Sequence, residues 1–327
     1  MANIIYAKST GKLDPMIGKL ETPLKMIIEH ESDNCIKRND VRKRLFNIEK
    51  SNKFGETIVG TSDFDTFMAV VEGGGAENDG IETTYKKFIE HIQFMKEFTI
   101  TAEMMEDAVS GIAADAKRRA ENFTRAYYKT INKICEGALI NGTENSFAWG
   151  DTDIDLVAPD GHPLFSNKHR WGGYLDNSGT QANYFFGGIF SKENADGDLV
   201  MSTDVFEESL YALASKLRNM KDERGEPMGY TADTIIIPGN NPKLESVVRK
   251  VCGSYGATGN GYNDINLHYG NWNLVVLPSW QPTDRRIMVM SSEANKNLCG
   301  NIRCLIRAGR RERFIKKHKA VLGHAVK

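Results

Sequence analysis

The chain has 327 residues, of which 40% are hydrophobic and 26% are charged, and its formal net charge is −1. This composition is that of a globular protein with room for about two domains and ample apolar residues for a core. The near balance of positive and negative charge argues against a nucleic-acid clamp or a membrane-surface protein. Because no apolar run approaches about 18 residues, no membrane-spanning helix is expected.

The first 50 residues are predicted to form an extended arm rather than a compact domain. Their start lacks the long apolar centre of a signal peptide. Apolar residues between positions 15 and 30 predict one or two short amphipathic helices, broken by Pro23.

Residues 51–100 are predicted to be β, with two strands around a glycine-rich tip that form a long hairpin. Residues 67–71 are a short strand candidate, 73–80 a flexible glycine-rich turn, and 81–100 are rich in β-branched and aromatic residues. Gly73 to Gly75 lack the Gly-Lys-Ser/Thr of a phosphate-binding loop, so a hairpin tip is about ten times the better interpretation. A long hairpin is marginal alone in water and needs a surface to lie on, for which a second copy of the protein is a candidate.

A long amphipathic helix is predicted in residues 101–142. From Ser110 to Asn141 it would be about 48 Å long at about 1.5 Å per residue, and Asn141-Gly142 is a plausible stop. Charged residues, among them Arg118, Glu121, Arg125 and Lys129, are expected on the solvated face. The apolar face is predicted from steps of three and four residues: Ile112, Ala116, Ala120, Phe123, Tyr127, Ile131, Ile134 and Ala138.

Residues 143–201 are polar and show little periodicity, so they are expected to carry short strands or a functional loop. His162 and His169 lie near several aspartates, and a metal site is conceivable there. Without an HExxH pair or a second ligand pair at a defined spacing, that interpretation has about one chance in twenty against ordinary loop residues.

The region from 203 to 290 predicts a small α/β module. A helix is expected from Thr203, as its cap, to about Arg224, with Gly225 ending it. The remaining elements are predicted to be a buried strand at 234–238, a helix at 242–252, and buried strands at 272–278 and 286–290.

The segment 301–327 is basic, with interleaved apolar residues that predict a partly buried strand. Contact with phosphates is possible, but a charged strand face pairing with neighbouring acids is favoured about two to one. Gly256 to Gly261 spell GxxGxG after a helix rather than a strand, which argues against dinucleotide binding. The five cysteines lack a CxxC pair and are expected to be free thiols of a reducing cytoplasm: Cys35, Cys135, Cys252, Cys299 and Cys304.

No catalytic, cofactor-binding or metal site is predicted. The sequence has no Gly-x-Ser-x-Gly elbow and no cysteine with local activating residues. Nothing in these residues favours an enzyme, although they do not exclude one, and no cofactor is expected.

Several segments in order resemble the major head subunits of phage Mu-like viruses and prophages. They are FTITAEMMED at 98–107, DGHPLFSNKH at 160–169, GTQAN at 179–183, LRNMKDERGEPMG at 217–229 and DTIIIP at 233–238. The resemblance covers about residues 90 to 290, and the two ends are unmatched in detail.

The resemblance implies the α+β fold of tailed-phage major capsid proteins of the Hong-Kong-ninety-seven type. It assigns 1–50 to an N-terminal arm, 51–97 to the extended hairpin called the E-loop, and 146–284 to an axial α/β domain. The peripheral domain would comprise 98–145 and 285–327, with a spine helix at about 107–141.

The function implied is that of a major capsid protein that self-assembles, as pentamers and hexamers, into an icosahedral shell around double-stranded phage DNA. The implied partners are other copies of the chain, a separate scaffold or protease, portal and decoration proteins, and DNA bound without specificity, with no membrane. The implied location is the virion, after assembly in the bacterial cytoplasm.

Two alternatives remain open. One is an encapsulin-type nanocompartment shell of the same fold, which requires a cargo-docking surface and is disfavoured by the Mu-like order of segments. The other is an α/β enzyme that uses the module at 146–284, which is disfavoured by the missing catalytic pattern.

Overall fold

The structure is a computed structural model. It describes residues 15–38, 41–51, 53–62, 64–76, 78–92, 94, 96, 112–171, 179–185, 192–193, 199–200, 202–239, 241–253, 266, 268–281, 286–294 and 303–307. The helices are α1 (Pro15–Arg38), α2 (Val41–Leu45), α3 (Ile112–Ile140), α4 (Thr203–Arg218) and α5 (Pro242–Gly253). The strands are β1 (Asn47–Ser51), β2 (Gly55–Thr61), β3 (Thr83–Glu90), β4 (Ser146–Trp149), β5 (Thr152–Asp155), β6 (His169–Arg170), β7 (Thr180–Gln181), β8 (Lys192–Glu193), β9 (Leu199–Val200), β10 (Thr234–Pro238), β11 (Asn273–Leu277), β12 (Met288–Met290) and β13 (Arg303–Arg307).

The chain divides into two compact units. The first is built from segments 1–56, 89–135 and 303–327, and the second from 57–88 and 136–302. Helices combine with small, mostly two-stranded sheets, so the fold class is α+β. In the part of the chain that the structure describes, no helix has the length and apolar character needed to cross a membrane.

In the first unit, α1 is one continuous helix of 24 residues, and the predicted break at Pro23 is wrong. A proline removes one backbone hydrogen bond of the ladder, and here the helical turns on both sides persist around it. The predicted strand near the C-terminus is present as β13, which pairs in parallel with β1.

The predicted long helix is present as α3, while residues 101–111 lie outside the described ones. Its buried stripe, however, is rotated by one residue from the prediction over much of its length. Tyr127 is 41% exposed, whereas its neighbour Tyr128 is buried. The reason is that polar residues also lie on the buried face, because their polar groups form hydrogen bonds there. The Thr124 hydroxyl, for example, donates to the Ala120 carbonyl oxygen at 3.0 Å. The most buried members of the stripe are Ala120, Thr124, Tyr128, Cys135, Glu136 and Leu139.

On the predicted solvated face of α3, Arg118, Arg125 and Lys129 are exposed, as predicted, and Glu121 is partly buried. Arg125 also contacts α1, where its Nε donates to Glu31 Oε1 at 2.5 Å. Both residues of this ion pair belong to the first unit, and the hydrogen bond that Arg125 donates to Glu31 raises the pKa of Arg125.

The core of the second unit is the predicted α/β module. Strand β10 lies between β11, which is parallel to it, and β12, which is antiparallel. All five residues of β10 are buried, as a central strand covered on its faces requires. The main apolar cluster joins α4, β10 and α5 and contains Phe206, Leu210, Ile235, Ile237, Leu244, Val248 and Val251.

Helix α4 ends at Arg218, six residues before the predicted end at Arg224. Its N-cap is Ser202 rather than Thr203, because the Ser202 hydroxyl accepts a hydrogen bond from the Asp204 amide at 3.3 Å. The spacing of apolar residues continues past Arg218, so it did not show that the helix ends there and that a structured turn follows.

The irregular region after α3 carries short strands, as predicted. Strands β4 and β5 form an antiparallel pair, as do β6 with β7 and β8 with β9. In the predicted hairpin, residues 67–71 are not a strand, and the paired strands are β2 and β3 instead. Residues 67–71 lie between β2 and β3 in the chain and are part of neither strand.

Candidate assembly surface

The hairpin of β2 and β3 is closed by a direct contact between a glycine and an aromatic ring. A Cβ atom added to Gly60 would overlap the ring of Tyr85, which therefore lies directly over the glycine backbone of the paired strand. Aromatic side chains commonly cover glycine in this way and so help to set the strand register. Beyond the strands, the Ser62 amide donates to the Glu82 carbonyl oxygen at 2.8 Å and continues the closure.

The segment after β2 presents a continuous group of apolar side chains to solvent. We call residues 64–71 the apolar segment. Phe67 is fully exposed and Val71 is 83% exposed, while the others exceed half exposure: Phe64, Met68 and Val70. Single exposed apolar residues are common, but a contiguous group of this kind marks a contact surface.

The chain returns from the hairpin tip beside the start of the apolar segment. The Asp65 amide donates to Asp79 Oδ2 at 2.6 Å, and at the tip Gly73 has a positive φ of 86°. That φ value suits glycine and permits the sharp reversal. The loop is thus held at its base by the contact between Asp65 and Asp79, and near its tip the Gly74 amide donates to the Val71 carbonyl oxygen at 2.9 Å.

A cation from another part of the second unit binds this loop. Arg224 Nη2 donates to Asp79 Oδ1 at 2.7 Å and to Asp79 Oδ2 at 2.8 Å. Arg224 Nη1 also lies 3.6 Å from Asp65 Oδ2. The backbone hydrogen bond from Asp65 and the side-chain hydrogen bond from Arg224 lower the pKa of Asp79, so the carboxylate is held in its charged form.

Arg224 lies in a compact turn that follows α4. Asp222 Oδ1 accepts from the amides of Arg224 at 2.9 Å and Glu226 at 2.8 Å. Gly225 has φ of 90°, and the Trp171 ring lies 3.0 Å from the position that a Cβ atom would take there. The Lys221 amide in turn donates to Gln181 Oε1 at 3.0 Å, so strand β7 supports the turn.

A second cation attaches the hairpin at β3. Lys87 Nζ pairs with Asp155 Oδ2 at 2.8 Å and also donates to the Val157 carbonyl oxygen. Lys87 extends from the hairpin to the β5 region, whereas Arg224 extends from the body of the unit to the hairpin. Two ion pairs therefore hold the hairpin. In one the cation, Lys87, belongs to the hairpin, and in the other the cation, Arg224, belongs to the turn after α4.

The histidines considered for metal binding have a different role. His169 Nδ1 lies 2.7 Å from Asp160 Oδ2 and its Nε2 lies 3.2 Å from the Leu164 carbonyl oxygen, so both ring nitrogens are occupied. Burial opposes ionisation of Asp160, but hydrogen bonds from His169 and from the His162 amide outweigh it and lower its pKa. Among the described residues, no group of three or more His, Cys, Asp or Glu is arranged to hold a metal ion.

A buried histidine lies beside α4 in the second unit. Trp272 Nε1 donates to His268 Nδ1 at 3.1 Å, and the Tyr211 ring centroid lies 4.7 Å from that of His268. Burial lowers the pKa of His268, although nearby Glu207 opposes the shift. Burial also raises the pKa of the Cys252 thiol to about 11, which leaves it protonated and unsuited to nucleophilic attack near neutral pH.

Other sequence candidates fall in different places. Among the described residues, Cys35, Cys135 and Cys252 form no disulfide bond. Gly256 to Gly261, Cys299 and the basic residues after Arg307 lie outside the described residues, as does the Cys304 side chain.

Sequence reasoning missed the contact between Arg224 and Asp79. The segment 217–229 was singled out for its resemblance, with no role for any of its residues. An Asp-x-Arg-Gly turn is visible in the sequence, but the aspartate that receives Arg224 is 145 residues away, and no local pattern connects the two.

No protein-family model matches the chain, and no curated protein matches it. Among solved structures, the chain is similar to subunits of three bacteriophage JBD30 particles. Its similarity to a chain of the JBD30 procapsid has a TM-score of 0.49 at 13% identity and covers 81% of this chain and 99% of that one. The JBD30 capsid and the JBD30 capsid decorated with minor capsid protein trimers each give a TM-score of 0.48 at 11% identity, covering 72% and 73% of this chain and 89% and 90% of theirs.

Proposed function

We propose that this protein is a phage major capsid subunit of the Mu-like type that assembles with copies of itself into an icosahedral shell around double-stranded DNA. The observation that carries the proposal is the apolar segment, residues 64–71, displayed on an anchored hairpin with Phe67 fully exposed. The order of the Mu-like sequence segments supports the identity of the partner as another copy of the chain.

The energetics of the apolar segment favour association. Fully burying a Val, Met or Phe side chain contributes about 1.5–3 kcal/mol, and five such side chains are exposed together in residues 64–71. A shell subunit repeats each contact many times, so modest contacts summed over a particle suffice to hold it. A net charge of −1 allows many copies to pack without strong mutual repulsion.

The proposal extends to the architecture and partners of the fold. Residues 1–50 would be the arm, 51–97 the E-loop, 98–145 with 285–327 the peripheral domain containing the spine helix, and 146–284 the axial domain. Pentamers and hexamers, a separate scaffold or protease, portal and decoration proteins, non-specific contact with DNA, and location in the virion belong to the same proposal. So does a structural rather than enzymatic role.

The test compares purified wild-type protein with Phe67→Ser and with Tyr269→Ser. Tyr269 is a half-exposed aromatic residue of the same unit, outside the hairpin, and serves as the matched control. We expect capsomers, tubes or shells by electron microscopy for the wild type and the control, and their loss for Phe67→Ser. A wild-type protein that remains monomeric under all assembly conditions would refute the proposal. Particles filled with a protein cargo instead of DNA in the native host would favour the encapsulin alternative.

A further inference from the structure

The hairpin could be held in either of two ways that differ in their effect on association. A contact to the body of the unit could hide the apolar segment until a partner displaces it, or it could hold the segment outward for a partner to bind. The exposure of the side chains discriminates between them. Phe67 is fully exposed and Val71 is 83% exposed while Arg224 is bound to Asp79, so the contact does not cover the segment.

The arginine is placed by a turn that is itself held. Asp222 accepts two backbone hydrogen bonds within the turn, and the positive φ of Gly225 lets the backbone pass close to the Trp171 ring. The turn therefore fixes the position from which the Arg224 side chain reaches the hairpin. The charge distribution matches, because Asp65 and Asp79 both face the guanidinium.

The ionic contact also closes the loop on itself. Asp79 Oδ2 accepts the Asp65 amide at 2.6 Å and the Arg224 Nη2 donor at 2.8 Å. Asp65 is the second residue of the apolar segment, so the Asp79 carboxylate connects the start of this segment to Arg224 in the turn after α4. A segment that is already ordered before binding loses less conformational entropy on association.

We propose that Arg224, with Asp79 and Asp65, is a positioning latch that holds the apolar segment outward in the free subunit and so prepares it to dock on a second copy of the chain. We call these three residues the latch. The proposal rests on the proposed shell function for its consequence in assembly, but the effect on the free subunit stands apart from it. Arg224 does not need to touch the neighbouring copy for this role.

The first experiment measures the free subunit. Hydrogen–deuterium exchange of residues 60–82 is compared in wild type, Arg224→Gln and Arg249→Gln. Arg249 is the matched control, because it forms an exposed ion pair with Glu245 one helical turn away in the same unit. We expect about two- to fivefold faster exchange at the Asp65 amide in Arg224→Gln, the range for losing one partly exposed ion pair, and no change in the control. Equal exchange in all three proteins would overturn the latch.

The second experiment measures the threshold concentration for assembly. A positioning latch predicts that Arg224→Gln raises this threshold about two- to fivefold or more, since the segment must then be ordered on docking. A lowered threshold would overturn the proposal, because it would show that the contact restrains association. An unchanged threshold in a wild type that assembles would overturn it as well.

A conservative variant separates positioning from general damage to the fold. Arg224→Lys keeps a cation beside Asp79 and leaves Asp79 as the acceptor of the Asp65 amide, so it is expected to retain most of the slow exchange that Arg224→Gln loses. If Arg224→Gln fails to fold, the Asp79→Asn variant tests the same contact from the hairpin side. If the wild type never assembles, the shell function fails, while the exchange measurement still decides the latch.

Discussion

Arg224 and Asp79 are 145 residues apart in the chain, yet one guanidinium nitrogen of Arg224 donates to both carboxylate oxygens of Asp79 at 2.7 and 2.8 Å. This pair joins the turn after α4 to the loop that carries the apolar segment. Both side chains are partly accessible to solvent, so the strength of the pair should fall with salt. The pair gives the turn after α4 a role in placing the hairpin.

The turn that holds Arg224 should tolerate no side chain at Gly225. Its φ of 90° is unfavourable for other residues by about 1–2 kcal/mol, and an added Cβ atom would also lie 3.0 Å from the Trp171 ring. We expect Gly225→Ala to lower the free energy of unfolding by about 1–2 kcal/mol or more in chemical denaturation. It should also speed exchange at residues 64–82.

Two further glycines separate the causes of that effect. Gly161 has φ of 83° but no atom near an added Cβ, so Gly161→Ala tests backbone strain alone. Gly253→Ala has neither feature and should be near neutral. If Gly225→Ala lowered the stability no more than Gly161→Ala does, the close packing against Trp171 would be wrong.

The stability of the second unit should depend on pH through His268. Burial lowers the pKa of this histidine below its ordinary value of 6.5, so the folded state favours the neutral ring. The unfolded chain takes up the proton first as the pH falls. His268 therefore contributes stability above about pH 6.5 that is lost progressively as the pH drops toward its lower folded pKa.

We expect the melting temperature to fall between about pH 7.5 and pH 5.5, and His268→Gln to reduce that fall. Comparing the variant with the wild type isolates the contribution of His268 to this pH dependence. Glu207 and Tyr211 face His268 from α4, and Trp272 donates to its Nδ1. A variant with the same pH dependence as the wild type would show that His268 is not a buried neutral group.

Helix α3 should not survive a proline at its buried centre. Ala120 is fully buried, and its carbonyl oxygen accepts the Thr124 hydroxyl. We expect Ala120→Pro to lower the free energy of unfolding by about 3 kcal/mol or more and to reduce the helical circular dichroism signal. Lys129→Ala, at an exposed position of the same helix, should change stability little, and normal assembly of the proline variant would contradict the account of α3.

The sequence predicted the elements whose residues carry a local period. Strand β10 was predicted with its observed bounds, and α5, β11 and β12 lie within two residues of theirs, because buried apolar runs and glycine or proline ends are visible locally. The continuous α1 was missed because neighbouring helical turns can persist around one proline. The end of α4 was missed because Asp222 organises a turn that helical spacing does not reveal.

The candidate surface was predicted as a hairpin but not in its contacts. The apolar residues at 67–71 indicated a strand. They are instead exposed residues of the apolar segment, which lies between β2 and β3 in the chain. The latch joins residues far apart in the chain, and the rotated stripe of α3 depends on polar side chains finding partners. The latch is set by contacts between distant parts of the chain, which a single sequence does not display. In α3, the spacing of apolar residues alone does not show that Thr124 is buried with its hydroxyl bonded to the Ala120 carbonyl oxygen.

Removing the hairpin should separate folding from association. No residue of the hairpin belongs to the apolar core cluster of α4, β10 and α5. We therefore expect deletion of residues 55–85, bridged by a short Gly-Ser linker, to leave a protein that unfolds cooperatively but forms no particles. Gly75→Ala is the control, because an added Cβ atom there meets nothing within 4 Å. Particles of wild-type size from the deletion variant would refute the assignment of the hairpin as the contact element.

The most direct measurement is sedimentation velocity of the purified wild-type protein and Phe67→Ser, with the boundary fractions inspected by electron microscopy. The account predicts that the wild type sediments as capsomers, tubes or shells and that Phe67→Ser shifts to the subunit while retaining its melting temperature. A wild-type protein that sediments only as a monomer across assembly conditions, or a Phe67→Ser variant that forms the same particles at the same concentration, would contradict it.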